Sequence, residues 1–153
     1  MTVLVLGMGN PILSDDGVGL RVARRLRETP LPDEVEVAES EVAGLRLLEL
    51  VRGFTKVVII DALQSGGRPG DVVRIDAKDF RGGQRYGSAH SIRLDTALEL
   101  GHRLGYPMPD EVIVYAIEAV DVETFGEELS PPVAEAAERV VAMVRDELGL
   151  GPA

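Results

Sequence analysis

The chain has 153 residues, close to the size of one domain, with 45% hydrophobic and 27% charged residues, enough apolar material for a packed core. Its formal net charge of −10 argues against a duplex-binding surface, because phosphate contacts need clustered Lys and Arg. The absence of cysteine excludes disulfides, thiol nucleophiles and thiolate metal ligands, and no apolar run approaches the roughly 18 residues that a membrane helix needs.

The start, Met1-Thr2-Val3-Leu4-Val5-Leu6-Gly7, lacks a basic region and is too short for the apolar core of a signal peptide. It is expected to be the first buried strand, from Val3 to Leu6, of a cytoplasmic protein. A helix is predicted over 17–28, with Val18, Val22 and Leu26 on one face and Arg21, Arg24, Arg25 and Arg27 mostly on the solvated one; Pro30-Leu31-Pro32 ends it. Residues 35–38 predict a short second strand. Leu45, Leu48 and Arg52 mark a second helix that stops near Gly53.

Val57-Val58-Ile59-Ile60 is the clearest buried strand, a β-branched run ending at Asp61. Residues 71–75 predict a fourth strand and 81–88 a glycine-rich loop expected to move. A third helix follows over 91–104, then a fifth strand over 112–117. The last helix opens at Ser130-Pro131-Pro132, read as an N-cap followed by proline in the first turn. It carries Val133, Ala137, Val140, Val141, Val144 and Leu148 on one face. Strands alternating with helices imply a single α/β domain over 1–153: three layers, with a twisted, mainly parallel sheet of about five strands flanked by helices.

Open sheets of this kind bind ligands outside the carboxyl ends of their strands. Asp16, Asp61 and Glu118 are each placed just past a strand end, so a crevice of converging acids is expected. Gly7-Met8-Gly9 after a strand invites a dinucleotide reading, but the third glycine of that fingerprint is replaced by Ile12. Pro11 removes one N–H, and Asp15 and Asp16 would repel a pyrophosphate at the helix start. Of these two, Asp15 is assigned to capping the helix and Asp16 to the crevice. Gly17 and Gly19 would let the helix start lie close to the sheet.

His90, in Ser88-Ala89-His90-Ser91, stands between the glycine-rich loop and a helix start. The ordinary alternatives are a turn-capping Asp61 and a surface His90. Together Asp16, Asp61 and His90 would offer two carboxylates and an imidazole on one rim. Two carboxylates about 4 Å apart repel by about 4 kcal/mol at an effective dielectric of 20, so the pair needs a cation or a shared proton. A divalent metal with open positions suits the set, and so does a proton-sharing dyad activating water. No Gly-x-Ser-x-Gly elbow supports a serine hydrolase. His102 lies within a helical pattern and is read as a surface or core residue.

At these residues the chain resembles the hydrogenase maturation proteases. The matching pieces are Leu4-Val5-Leu6-Gly7-Met8-Gly9-Asn10, Asp15-Asp16-Gly17-Val18-Gly19, Ile60-Asp61-Ala62, Ser88-Ala89-His90 and Leu129-Ser130-Pro131-Pro132-Val133, in order from Val3 to Leu148. The resemblance implies a phosphorylase/hydrolase-like sheet between helices. It implies an endopeptidase, of aspartic type or with metal-dependent recognition. This enzyme would remove the C-terminal extension of a nickel-hydrogenase large-subunit precursor after nickel insertion and so activate the hydrogenase. The family's nickel-contacting residues match Asp16, often glutamate in relatives, with Asp61 and His90. Nickel would arrive with the substrate; in a crystal another divalent ion would replace it. The expected partner is that precursor, with no nucleic acid and no membrane. One departure is the segment Glu39-Ser40-Glu41-Val42-Ala43-Gly44, where the family commonly has Asp-Gly-Gly-Thr-x-Gly. Two other readings stand beside the protease: a nucleotide- or small-molecule-binding module, and a nickel-sensing assembly chaperone that docks without cutting.

Overall fold

The computed structural model describes residues 1–41, 45–79 and 89–152, the side chains of 45 and 89–95 excepted. The strands are β1 (Val3–Met8), β2 (Val35–Ser40), β3 (Lys56–Leu63), β4 (Val72–Asp76) and β5 (Glu111–Glu118). The helices are α1 (Val18–Arg27), α2 (Leu45–Val51), α3 (Ala89–Arg103) and α4 (Pro131–Glu147), and a 3-10 turn over Ser14–Gly17 leads into α1. The expected glycine-rich loop at 81–88 lies outside the described residues.

The five strands form one sheet in the order β2-β1-β3-β5-β4. β2, β1, β3 and β5 are parallel; β4 pairs antiparallel with β5, with Val72 opposite Ile117 and Asp76 opposite Ile113. The mainly parallel sheet is thus as the strand–helix alternation predicts, and the antiparallel edge strand is the addition. No helix intervenes between β3 and β4, so the chain turns back at the sheet's rim and crosses β5.

Strand alternation sorts the core into two halves. Val5, Val58, Ile60, Ile113, Tyr115 and Ile117 meet α1 and α4 on one face. Leu4, Leu6, Val57, Ile59, Leu63 and Val114 meet α2 and α3 on the other. Both faces are covered, which is why β3 and β5 read as continuous apolar runs rather than alternating ones. The predicted apolar stripe of α4 is buried at Val133, Ala137, Val140, Val141 and Val144, with Leu148 packed at its margin.

From β1 the chain reaches β2 through α1 on one face, then returns through α2 on the other to β3 on the opposite side of β1. That reversal is a topological switch point between β1 and β3, and it opens a crevice at their carboxyl ends. The helix after β1 approaches closely there. A Cβ built on Gly19 would lie 2.3 Å from the Ile60 carbonyl oxygen and 2.5 Å from that of Met8. Only hydrogen at Gly19 permits this contact, as anticipated for Gly19; Gly17 faces the loop at Asn10 and Pro11 instead of the sheet. Gly9, at φ +147°, lies equally tight against the backbone of Asp16.

Candidate functional site

The loop from Gly9 to Asp16 is held by its own backbone. The Gly9 N–H donates to Ser40 O, Asn10 N–H to the Asp16 carboxylate at 2.9 Å, and Ile12 N–H to the Asn10 side chain. Leu13 N–H donates to Asn10 O, Ser14 N–H to Gly126 O, Asp15 N–H to Asp121 O and Asp16 N–H to Leu13 O. With Pro11 lacking a donor, every N–H from Gly9 to Asp16 is engaged. A phosphate cradle needs several such donors aimed at the ligand, and this loop has none to offer. One of them serves a carboxylate already in place, which gives the loop the opposite electrostatic sense.

Asp16 therefore stands half-buried at the rim above β1, with one oxygen fixed by the Asn10 N–H. Asp61 is only 3% exposed. It lies inside β3 rather than past its end, paired in register with Ala116, because the strand continues to Leu63. Alternation with Ile59 and Leu63 puts it on the α2–α3 face, and its Oδ1 accepts the Ala62 N–H at 2.8 Å. Since β1 and β3 are neighbours, Asp16, on the loop after β1, and Asp61, near the end of β3, lie toward the same carboxyl edge of the sheet.

His90 is the second residue of α3, and its side chain lies outside the described part. Past α3, Pro107 O accepts the Gly53 N–H, while the N–H groups of Asp110 and Glu111 donate to Thr55 O where β3 begins. The C-terminal end of α3 is thus at the amino edge of the parallel strands. Its 15 residues span about 22 Å. Among the described residues no three His, Asp or Glu side chains cluster as a metal site. His102 lies exposed near the other end of α3, on the surface as expected.

Two expected roles are corrected. Asp15 does not cap α1: it sits within the 3-10 turn, fully buried, and its side chain reaches across to the segment after β5. It accepts from the N–H groups of Val120, Asp121 and Ser130 at 2.7–2.9 Å and from the Ser130 hydroxyl at 2.8 Å. Ser130 occupies the N-cap position of α4, but its hydroxyl is turned to Asp15 instead of to the helix. Glu118 is the last residue of β5, not past it, and it is committed elsewhere. It accepts from Ser65 N–H, Ser65 hydroxyl and Gly67 N–H, tying down the turn after β3. Of the three acids expected at the rim, Asp16 and Asp61 remain as candidates. The segment 119–128, unassigned from the sequence, forms a wall against the first loop.

Comparison with known proteins decides the family. The family model described as hydrogenase maturation protease matches residues 20–147. The chain belongs to the hydrogenase maturation proteases, a family of peptidases. It is 30% identical to the hydrogenase expression/formation protein HupD of Rhodobacter capsulatus, over 95% of this chain and 70% of that protein. It is 28% identical to a putative hydrogenase maturation protease of Methanocaldococcus jannaschii, over 95% of this chain and 96% of the other. Among solved structures, the hydrogenase maturating endopeptidase HybD from E. coli superposes with a TM-score of 0.77 at 26% identity, covering 96% and 94% of the two chains. The [NiFe] hydrogenase maturation protease HybD from Thermococcus kodakarensis gives 0.70 at 28% identity, covering 96% and 99%. The sheet described above is the fold of this protease family.

Proposed function

We propose that this chain removes the C-terminal extension of a nickel-hydrogenase large-subunit precursor once nickel has been inserted. Asp16, Asp61 and His90 are the residues that read the metal and serve the cleavage. The observation that carries this reading is the family match over 20–147. The placement of Asp16 and Asp61 at the switch point between β1 and β3, where this architecture holds its ligands, supports it.

The donor set explains a requirement for nickel in chemical terms. Two carboxylates and an imidazole are hard to borderline ligands that suit a divalent first-row ion carried by the substrate. A nickel-loaded precursor gains those contacts, and a nickel-free one does not. The ion brings Lewis acidity to the scissile region; the protein's part is to orient the substrate and to accept the proton of the attacking water on a carboxylate. The departure at Glu39-Ser40-Glu41 borders the same rim, since Ser40 O holds the Gly9 N–H.

The test is incubation of the chain with nickel-loaded and nickel-free precursor, followed by intact-mass measurement. The loaded subunit is expected to shorten and the nickel-free one to stay whole. Asp61→Asn or His90→Ala should slow shortening by at least about a hundredfold. Equal processing of both precursors would remove nickel from the reading. A loaded subunit that binds but is never shortened would make the chain an assembly chaperone.

A further inference from the structure

The largest exposed apolar side chains at the candidate site lie on two segments that the fold joins. Gly126 N–H donates to Ile12 O, Ser14 N–H to Gly126 O and Asp15 N–H to Asp121 O, and Leu13 and Gly126 form a bridge. Ile12 is 51% exposed, Val120 52% and Phe125 80%. The other exposed large apolar residues among those described, Met1, Val73, Leu104 and Met143, are scattered over other elements. Loop tips normally carry small or polar residues. Phenylalanine held in solvent on a loop anchored by a buried carboxylate is therefore unusual. A concentration of exposed apolar surface marks an interaction site.

The charged residues of the segment 121–128 are all acidic, and Arg21 and Arg24 line a pocket with Glu127. Glu123, Glu127 and Glu128 flank Phe125 in sequence and are all exposed; among the described residues none of them is in an ion pair. Asp121 adds a fourth acid, its carboxylate accepting from Glu123 and Thr124 N–H and closing the turn that presents Phe125. The segment is fixed at both ends: Asp15 holds Val120, Asp121 and Ser130, and the Ser14 hydroxyl donates to Glu128 O. A surface pre-ordered in this way loses little entropy on binding.

We propose that Ile12, Val120 and Phe125, with the acidic border of Glu123, Glu127 and Glu128, form the surface on which the substrate polypeptide docks. The matching element on the substrate is an exposed apolar side chain with Lys or Arg beside it. This rests on the proposed protease reading and names a surface for its substrate. Ile12 lies four residues from Asp16 on one rigid loop, so a polypeptide with its scissile bond at Asp16 and Asp61 passes within reach of the patch. The acids attract the basic flank and repel acidic chains; the apolar centre supplies the anchor.

The experiment measures KM and kcat for shortening of nickel-loaded precursor, together with its equilibrium affinity, for the intact chain and for variants. Phe125→Ala combined with Ile12→Ser should raise KM by about tenfold or more while kcat changes far less. The thermal midpoint should hold, since both side chains are exposed. Glu123→Gln, Glu127→Gln and Glu128→Gln together should raise KM at low salt and flatten its salt dependence. Met143→Ser, on the outer face of α4, should leave KM as it is. A Phe125→Ala, Ile12→Ser variant with unchanged KM and affinity overturns the docking surface and leaves the protease reading standing. If the intact chain binds precursor without cutting it, the protease reading falls and the affinity comparison still decides the patch. If it neither cuts nor binds, both fall.

Discussion

Asp15 and Asp16 are neighbours with opposite assignments, and the difference is one of hydrogen-bond geometry. Asp15 is buried and accepts four hydrogen bonds from the segment 120–130. Asp16 accepts the Asn10 N–H and stays half-buried at the rim. Truncating Asp15 would strand three backbone N–H groups and a hydroxyl away from water. Asp15→Ala is therefore expected to lower unfolding stability by about 3 kcal/mol, read from urea titration. Asp15→Asn keeps the shape but turns an amide donor toward other donors, so its loss should lie between that and zero. Asp61→Asn contrasts with both. It should fold with a near-native urea midpoint and fail in processing, because its oxygen on the Ala62 N–H survives and its charge does not. A large loss of stability in Asp61→Asn with normal processing would reverse that assignment.

At the scale of elements, the contact between the start of α1 and the carboxyl ends of β1 and β3 sets the rim. Exchanging glycine for alanine inside an exposed helix ordinarily stabilises by about 1 kcal/mol. At Gly19 the sign should reverse, since the added methyl meets the carbonyl oxygens of Ile60 and Met8 at 2.3 and 2.5 Å. Gly19→Ala is expected to destabilise by about 1–3 kcal/mol. It should also slow processing, because α1 can yield only by moving away from β3 and carrying the Asp16 turn with it. Far-ultraviolet circular dichroism during urea unfolding, set beside the processing rate, checks both parts. A stabilised Gly19→Ala variant would show that the helix start is free to shift.

Across the whole molecule, α4 is fastened to the sheet by a polar cluster at the edge remote from the site. Glu147 accepts from Arg74 Nε at 2.7 Å, from the Tyr115 hydroxyl at 2.7 Å and from Lys56 Nζ at 3.0 Å. The Arg74 guanidinium, then Tyr115 and Lys56, hold the Glu147 carboxyl down to about 2 against the usual 4.5, with burial opposing. Burial and the Glu147 contact push the Tyr115 hydroxyl up to about 12. A carboxyl lowered on folding stabilises the native state above its unfolded value and loses that contribution as the folded group takes a proton. Stability should therefore fall as pH drops from 4.5 toward about 2. Glu147→Gln should flatten that part of the profile, with urea midpoints across the range as the measurement. An unchanged acid slope in Glu147→Gln would place the acid lability elsewhere. At the same end of α4, buried Arg145 donates to Thr29 Oγ1 and Pro30 O, so the last helix also fixes the exit of α1.

What the sequence by itself determined is what local chemistry encodes. The continuous β-branched run at 57–60, the apolar stripe of α4 and the alternation of strands with helices announce a doubly covered, mainly parallel sheet. The missing third glycine, Pro11 and the paired aspartates argue against a phosphate cradle in the first loop. The ordered motifs from Gly7 to His90 point to the protease family. What only the tertiary structure decided depends on partners far along the chain. The roles of Asp15 and Ser130 are set by contacts across 115 residues, Glu118 is drawn off by a turn 51–53 residues away, and β4 runs antiparallel to β5 because the chain turns back after β3 with no crossover helix. The wall at 119–128 has no periodic pattern to read; it exists because one buried carboxylate gathers its backbone donors. Side-chain type and spacing fix which elements form, whereas a hydrogen bond between distant segments depends on how those elements pack.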